Sequence, residues 1–492
     1  MIETTSGSSA TRVARRGVPP SGVHLERLPQ ADSLRPIDVA ERFRDLPGLA
    51  VLESARPGRN ARWSFLTADP VAVLDEPSPG ADPFAVARRL LGRLDGSAAM
   101  VGRDVEDGNA AAPPFLGGLV GYLSYELGRQ LERVRARSPR DHDLPLLQLG
   151  LHDWVIAWER RTGRAWLGGR AWDGNSTQLG RRIEEVRERL GSVDSEPPRP
   201  EATPTAFVFR SGLDRAAYQA GVEHVRNEIG RGEIYQANLT RRLETPFDGD
   251  PWPLYRRLRT GDPALFSAYL DLGGDSPKGY RRAILSASPE PFIAVDPSGV
   301  VKADPIKGTR PRGRTREEDR ALAAELLASS KDRAENIMIV DVLRNDVGRV
   351  SIPGTVRVPR LCRLERTAAV QHLVSTVVGR LAPGRDAFDV LQAAFPGGSI
   401  TGAPKIRAMQ ILDQLEPVPR GPYTGALGWI GPDGAMASSI LIRTFVADGR
   451  TLSLHVGGGI TYRSDPAAEW EETVAKARGP LSAIGGREAS EP

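Results

Sequence analysis

Cysteine is almost absent from this chain: among 492 residues there is one, Cys362. A disulfide framework and a Cys-rich metal site are excluded at once. A thiol nucleophile is equally hard to place. Cys362 is flanked by Leu361 and Arg363, and no Gly-x-Cys-x-Gly turn of the kind a Cys-His-Glu glutaminase uses surrounds it. It reads as a small buried hydrophobe. Long apolar runs are missing too. None reaches the roughly 18 residues needed to span a bilayer, and no apolar core of a secretory signal opens the chain. A cytoplasmic protein with no membrane partner is expected. Aromatics are sparse at 6%, and 66 Lys and Arg against 62 Asp and Glu leave a net charge of only +4, with the signs interspersed. Nucleic acid is not an expected partner, because it calls for a clustered basic stripe with stacking aromatics.

The most informative scarcity is lysine. Of the 66 cations only six are lysines: Lys278, Lys302, Lys307, Lys331, Lys405 and Lys476, all in the second half. Where arginine is the default cation, a retained lysine marks a place that wants a compact charge or an amine able to lose its proton and attack. Compositional drift is the plain alternative.

What is present is an ordinary globular balance, 40% hydrophobic and 26% charged. The length suits about two or three domains, or one large interleaved enzyme fold. Residues 1–22 read as a mobile tail, 23–192 as an N-terminal mixed region and 193–205 as a Pro- and Ser-rich linker. Residues 206–485 carry most of the interpretable chemistry, and 486–492 read as a C-terminal tail. No fixed-period repeat is visible, which excludes a solenoid or propeller. Asp214 is expected to cap a helix running toward Gly230. Thr315 with Glu318 forms a capping-box sequence, and Asp465 with Pro466 opens a helix expected to stop at Gly479. Strand-like segments at 284–288, 356–358, 374–378 and 439–445 predict an α+β protein with a substantial antiparallel sheet.

Two helices carry acidic pairs three residues apart, Asp332 with Glu335 and Glu469 with Glu472, the latter followed by Lys476. Such pairs share a helix face and can build an all-oxygen site for a hard divalent ion. The spacing alone is explained more simply by two solvated faces. The stretch from Gly397 to Lys405 fails as a phosphate loop, since Ala403 and Pro404 stand where the lysine belongs. Its backbone N–H groups remain able to hold a carboxylate. His372 sits in a dense motif-like run, although a lone histidine is more often structural than catalytic.

Taken together, these residues are recognisable. Gly232-Glu-Ile-Tyr-Gln-Ala-Asn-Leu239, Pro305-Ile-Lys-Gly-Thr-Arg-Pro311, Lys331-Asp-Arg-Ala-Glu-Asn336, Arg344-Asn-Asp346, Val370-Gln-His-Leu-Val-Ser375, Pro396-Gly-Gly-Ser-Ile-Thr-Gly-Ala-Pro-Lys405 and Gly457-Gly-Gly459 follow one another in this order. The set resembles the chorismate-utilising enzymes, the family of anthranilate synthase component I and aminodeoxychorismate synthase component I, over about residues 205 to 485. The N-terminal half matches more loosely, through Val51-Leu-Glu-Ser-Ala55 and the Gly117 to Glu126 region.

The resemblance implies a single complex α+β fold with large antiparallel sheets flanked by helices, acting on chorismate with Mg²⁺ as cofactor. It implies Glu335 and Glu472 as main metal ligands, with Asp332 and Glu469 close by. Gly308, Thr309, Tyr423, Arg443, Gly457, Gly458 and Gly459 would hold the substrate carboxylates, with Ser399 and Lys405 in the same substrate site. Glu290 would be the general acid for the departing 4-hydroxyl, with His372 in the catalytic pocket. Gln236 stands where water-adding relatives are expected to carry a lysine base, and a neutral amide there points to ammonia as co-substrate. Lys307 stands where anthranilate synthases have alanine. A lysine at that position marks the aminodeoxychorismate branch, in which its amine adds to ring C2 before ammonia enters at C4. Ammonia would come from a separate glutamine amidotransferase subunit. Anthranilate synthase component I and a non-catalytic chorismate- or tryptophan-binding relative are the alternatives. Pro291 and Asp304 depart from the family, which often has arginine at both places. The Leu52-Glu-Ser54 piece resembles part of a tryptophan pocket, but its usual partner is replaced by Leu265-Phe-Ser-Ala-Tyr269, so no strong tryptophan inhibition is expected.

Overall fold

The structure is a computed structural model of the whole chain. It describes residues 22–490 except 33, 57–61, 77–80, 98–111, 133, 135–139, 192–205, 275–280 and 368–369. The expected linker and all but residue 22 of the expected N-terminal tail lie outside the described residues.

Two large, mainly antiparallel sheets organise the described residues, one 13-stranded and one 10-stranded. The first sheet runs from Val23–Arg27 through Trp154–Glu159, Ala50–Glu53, Phe266–Asp271 and Ala283–Ser288 to Thr444–Ala447, Thr451–Ile460 and Gln236–Pro246. The second runs from Ile306–Pro311 through Val370–Arg380, Pro291–Val295, Met436–Ile440 and Ala426–Ile430 to Gly118–Leu123 and Leu147–His152. Both halves of the chain therefore contribute to both sheets. Val51 pairs with Tyr269 across one junction, and Gly121 pairs with Gly428 across the other. The described residues before 192 and after 205 share hydrogen-bonded sheets.

The sheets face each other over a core of Phe65, Phe115, Tyr122, Ile284, Trp429 and Val446. Helices cover their outer faces. Leu179, Ile183, Val186 and Leu190 of Ser176–Gly191 recur on one helical stripe and are buried against the first sheet. Ile339, Val340, Leu343 and Val347 of Ser330–Gly348 do the same for the second. With both faces covered, strands such as Trp154–Glu159 and Ala283–Ser288 are buried at every position rather than alternating.

The expected helix starts are present. Asp214 accepts from the Ala217 N–H ahead of Arg215–Gly230, and Thr315 accepts from the Glu318 N–H ahead of Arg316–Ala328. Glu318 turns its own carboxylate to the Arg314 N–H, so the box is not reciprocal. Ser329 ends that helix and caps the next, accepting from the Asp332 N–H. The last helix, Pro466–Ala483, continues past Gly479 with Pro480 inside it. In the expected C-terminal tail, Gly486–Glu488 form a strand parallel to Phe207–Ser211.

One strand expectation is corrected in a way that matters for the site. Residues 439–445 are not one strand: Met436–Ile440 belongs to the second sheet and Thr444–Ala447 to the first. The chain changes sheets between them, and Arg443 takes a left-handed φ of 50° there. A second crossing joins Ala283–Ser288 to Pro291–Val295 and carries Glu290. The two crossings are stitched together. The Ile440 N–H donates to the Glu290 carbonyl at 3.1 Å, and the Ala287 N–H donates to the Arg443 carbonyl at 3.1 Å.

Candidate active site

Lys307 and Gly308 lie on the edge strand Ile306–Pro311. Pairing with Val370–Arg380 slips at this point: Lys307 opposes Leu373 and Thr309 opposes His372, leaving Gly308 as the extra residue of a bulge. Gly308 has φ 77°, and a Cβ there would lie 2.9 Å from both Asp332 and Leu326. Only glycine lets the edge strand lie so close to the helix bearing the first acidic pair.

The Lys307 amine donates to the Ser399 carbonyl oxygen at 3.3 Å. Ser399 belongs to the short buried helix Gly398–Thr401, and its side chain acts on the Glu290 carboxyl. Burial holds the Glu290 carboxyl above its usual range, although Lys307, the Ser399 hydrogen bond and Lys476 all pull the other way. A carboxyl that keeps its proton more readily suits a general acid.

The acidic pairs meet around the same lysines. Burial also pushes Glu335 up, opposed by Lys307 and Lys331 and reinforced by Asp332 and Glu472. Glu469, buried, is likewise raised by desolvation, with Glu472 adding to the effect. Burial pushes Glu472 up as well, but Lys476, Lys331 and Lys307 together hold it below the ordinary range. Three of the six lysines thus act on one carboxylate cluster. Lys476 lies 2.7 Å from Glu472 and donates to the Gly457 carbonyl at 2.9 Å. The glycine run closes the cluster from the strand side. A Cβ at Gly458 would lie 2.8 Å from the Glu469 carboxylate, and one at Gly459 would lie 2.4 Å from the Gln236 amide nitrogen. Gln236 is buried, and its Oε1 has no hydrogen-bond partner among the described residues.

No three of these carboxylates gather tightly enough, among the described residues, to hold a metal ion alone. Asp332 is 3.2 Å from Arg310, and Glu472 is drawn to Lys476. Glu335 and Glu472 nevertheless act on one another electrostatically and offer two carboxylates to one region. That fits a hard ion which takes one or two carboxylates and completes its shell with water and substrate.

Beside the Glu290 crossing lies a cavity of about 330 Å³, walled by Pro289, Pro291, His372, Arg443 and Arg56 among others. Thr309 Oγ1 and His372 Nδ1 are 3.0 Å apart. Burial pushes the His372 imidazole down to about 4, with Arg56 and Arg443 adding to the effect. It is neutral at physiological pH. Arg443 is half exposed and only 3.5 Å from Asp262.

Tyr423 is buried, stacked on His455 with centroids 5.0 Å apart. Lys405, expected at the substrate, is engaged elsewhere. Its amine lies 3.2 Å from Asp346 and donates to the Ala394 carbonyl at 3.0 Å. The site residues that motif reading left without a role are Lys331 and Lys476, whose scarcity in the composition was the signal.

A family described as chorismate binding enzyme matches residues 57–482. The chain belongs to the chorismate-binding enzymes. It is 39% identical over 443 residues to anthranilate synthase component 1 of Streptomyces coelicolor, covering 88% of this chain and 83% of that protein. It is 40% identical over 364 residues to aminodeoxychorismate synthase component 1 of Klebsiella aerogenes, covering 74% and 76%. The fold superposes with a TM-score of 0.71 on anthranilate synthase component I of Streptococcus pneumoniae, at 27% identity and over 86% and 93% of the two chains. In this chorismate-binding chain, Leu52 and Ser54 line a second, apolar cavity of about 180 Å³ with Trp63, Phe65 and Trp429. Glu53, at the same wall, is paired to Arg259. No helix among the described residues is long and apolar enough to cross a membrane.

Proposed function

We propose that this chorismate-binding enzyme aminates chorismate to 4-amino-4-deoxychorismate, with Lys307 as covalent nucleophile. The observation that carries the reading is the placement of Lys307. It touches Ser399, which touches Glu290, and its charge acts on Glu290, Glu335 and Glu472 alike. In the first half-reaction the Lys307 amine forms a bond to ring C2 and the C4–O bond breaks. The two ring double bonds shift between these ends, and Glu290 gives its proton to the departing hydroxyl, which leaves as water. In the second, ammonia forms a bond at C4, the double bonds return and the C2–N bond to Lys307 breaks, freeing the amine. Lys307 gives up a proton before it attacks and takes one back after it leaves, and the ammonium formed at C4 loses the proton that restores Glu290, so the cycle balances without an oxidant.

Glu335 and Glu472 would hold Mg²⁺, with Asp332 and Glu469 beside them; when bound, the ion supplies positive charge for the ring carboxylate. Arg443 would receive the second carboxylate through its guanidinium fork. Neutral His372 would accept or donate a hydrogen bond without moving a net charge. Gln236 offers a buried amide oxygen that suits ammonia, which needs an acceptor rather than a base. The ammonia would be delivered by a separate amidotransferase subunit.

Formation of anthranilate is the second reading, and the Streptomyces coelicolor relative, matched over 88% of the chain, favours it. The two readings differ in one assay. Chorismate, ammonium and Mg²⁺ are supplied to the purified chain, and the product is treated with a lyase that releases p-aminobenzoate. The para isomer is expected. Ortho-aminobenzoate formed without the lyase would overturn the proposal in favour of the second reading.

A further inference from the structure

Arg56 follows the Ala50–Glu53 strand in the N-terminal half, far in sequence from every catalytic motif. In space it shares the cavity of Arg443 and His372. Two further groups register both guanidiniums at once. The His372 imidazole and the Asp262 carboxyl each feel Arg56 and Arg443. The two cations therefore stand over a common space beside the Glu290 crossing.

Charge balance in that space is incomplete. The acidic residues on its wall have cationic partners of their own: Asp304 lies 2.7 Å from Lys302, and Glu365 lies 3.6 Å from Arg360. Arg366, also on the wall, donates to Gln371 and lies 3.7 Å from Asp319. Arg443 has only the 3.5 Å approach to Asp262. Arg56 donates to the neutral hydroxyl of Thr367 at 3.3 Å, and among the described residues no carboxylate pairs with it. With Arg443 held only by the long contact to Asp262 and Arg56 by no carboxylate among the described residues, the cavity beside Glu290 keeps one guanidinium uncompensated and a second weakly paired, an arrangement that suits an anion. Arginine is the cation suited to planar, two-pronged carboxylate recognition.

We infer that Arg56 is the second guanidinium, with Arg443, that binds the carboxylate on the side chain of chorismate. This rests on the reading of the chain as a chorismate-converting enzyme, and it goes beyond it by recruiting the N-terminal half to substrate positioning. The ring lies toward Lys307 and Glu290, and the side-chain carboxylate lies across the crossing between Arg56 and Arg443. Arg56 is a positioning residue and takes no part in the bonds that form and break.

The test is titration calorimetry of chorismate with Mg²⁺ against wild type, Arg56→Gln, Arg56→Lys, Arg443→Gln and the double Gln variant, alongside steady-state kinetics. Arg56→Gln should bind chorismate at least about tenfold more weakly, the worth of a charged hydrogen bond. Arg56→Lys should recover part of that loss. The double variant should lose less than the product of the single losses, because both groups hold one carboxylate. The kinetic loss should fall on KM more than on kcat. Arg56→Gln that binds chorismate as wild type does would overturn the assignment while leaving the proposed reaction standing. So would Arg56→Lys with affinity no better than Arg56→Gln. Wild type that does not bind chorismate at all would overturn both.

Discussion

Lys307 and Ser399 are joined by a 3.3 Å hydrogen bond from the lysine amine to the serine carbonyl oxygen. The side chain of the same serine acts on the Glu290 carboxyl. Under the proposed reaction, the nucleophile and the acid thus both lie beside one residue of a short buried helix. Holding both groups at one residue limits the positions they can take, which is how orientation lowers a barrier.

Lys307→Ala should lower amination by at least ~100-fold, as expected on loss of a covalent nucleophile, and should weaken chorismate binding much less. Lys307→Arg should be nearly as inactive, although it keeps the charge that acts on Glu335 and Glu472. Steady-state rates with ammonium check this. An arginine variant with near-normal turnover would reduce Lys307 to an electrostatic clamp.

Glu290 offers a pH prediction whose sign follows from burial. Its carboxyl is raised above 4.5 in the fold, mainly by desolvation. The fold therefore binds that proton better than the unfolded chain does. The contribution favours folding below pH 4.5 and is lost as pH rises through the raised value. At about pH 8 the ionised group costs stability, so Glu290→Gln should melt at or above the wild-type temperature there. The difference should close as pH falls toward 4.5. Calorimetric scans across that interval decide the matter, and a glutamine variant less stable than wild type at pH 8 would contradict burial as the cause. The same variant should lose ~10²–10⁴-fold in rate, the range for a general acid.

Much of this site was legible in the sequence, for identifiable reasons. The acidic pairs were visible because helical spacing puts residues three apart on one face, and both segments do lie on helices, Ser330–Gly348 and Pro466–Ala483. Spacing could not tell that the two faces meet, because that depends on a bulge at Gly308 and a glycine run at Gly457 that draw strands close to both helices. The crossing at Arg443 was hidden for another reason. Residues 439–445 have strand composition throughout, and nothing local reports that the chain leaves one sheet and joins another. Arg56 carried no motif. Lys405 carried one, but the buried Asp346 beside it claims its charge.

The carboxylates make a prediction about the ion. Glu335→Gln or Glu472→Gln should sharply weaken Mg²⁺-dependent chorismate binding, measured by titration with and without Mg²⁺. Both side chains are partly exposed at the site, so circular dichroism should report an intact fold. Unchanged Mg²⁺ dependence in both variants would return the pairs to the role of solvated helix faces balanced by lysines.

Glutamine should not serve as nitrogen donor for the chain alone. The single thiol, Cys362, is buried within the strand Arg357–Arg366, where its N–H donates to Ser375 Oγ at 2.9 Å. That is a packing position without the exposed turn a glutaminase nucleophile needs. Purified chain should turn over with ammonium salts, and should do so with glutamine only after an amidotransferase subunit is added. Cys362→Ala should leave ammonium-dependent turnover intact. Glutamine turnover by the chain alone would contradict this.

The covalent role of Lys307 is tested most directly by rapid quench of enzyme mixed with chorismate and Mg²⁺ in the absence of ammonia, followed by proteolysis and mass spectrometry. The account predicts an adduct on the peptide containing Lys307, of the mass of chorismate less one water, which disappears when ammonium is added before the quench. Unmodified Lys307 peptide throughout a time course in which ammonium-supplied enzyme forms 4-amino-4-deoxychorismate would contradict it.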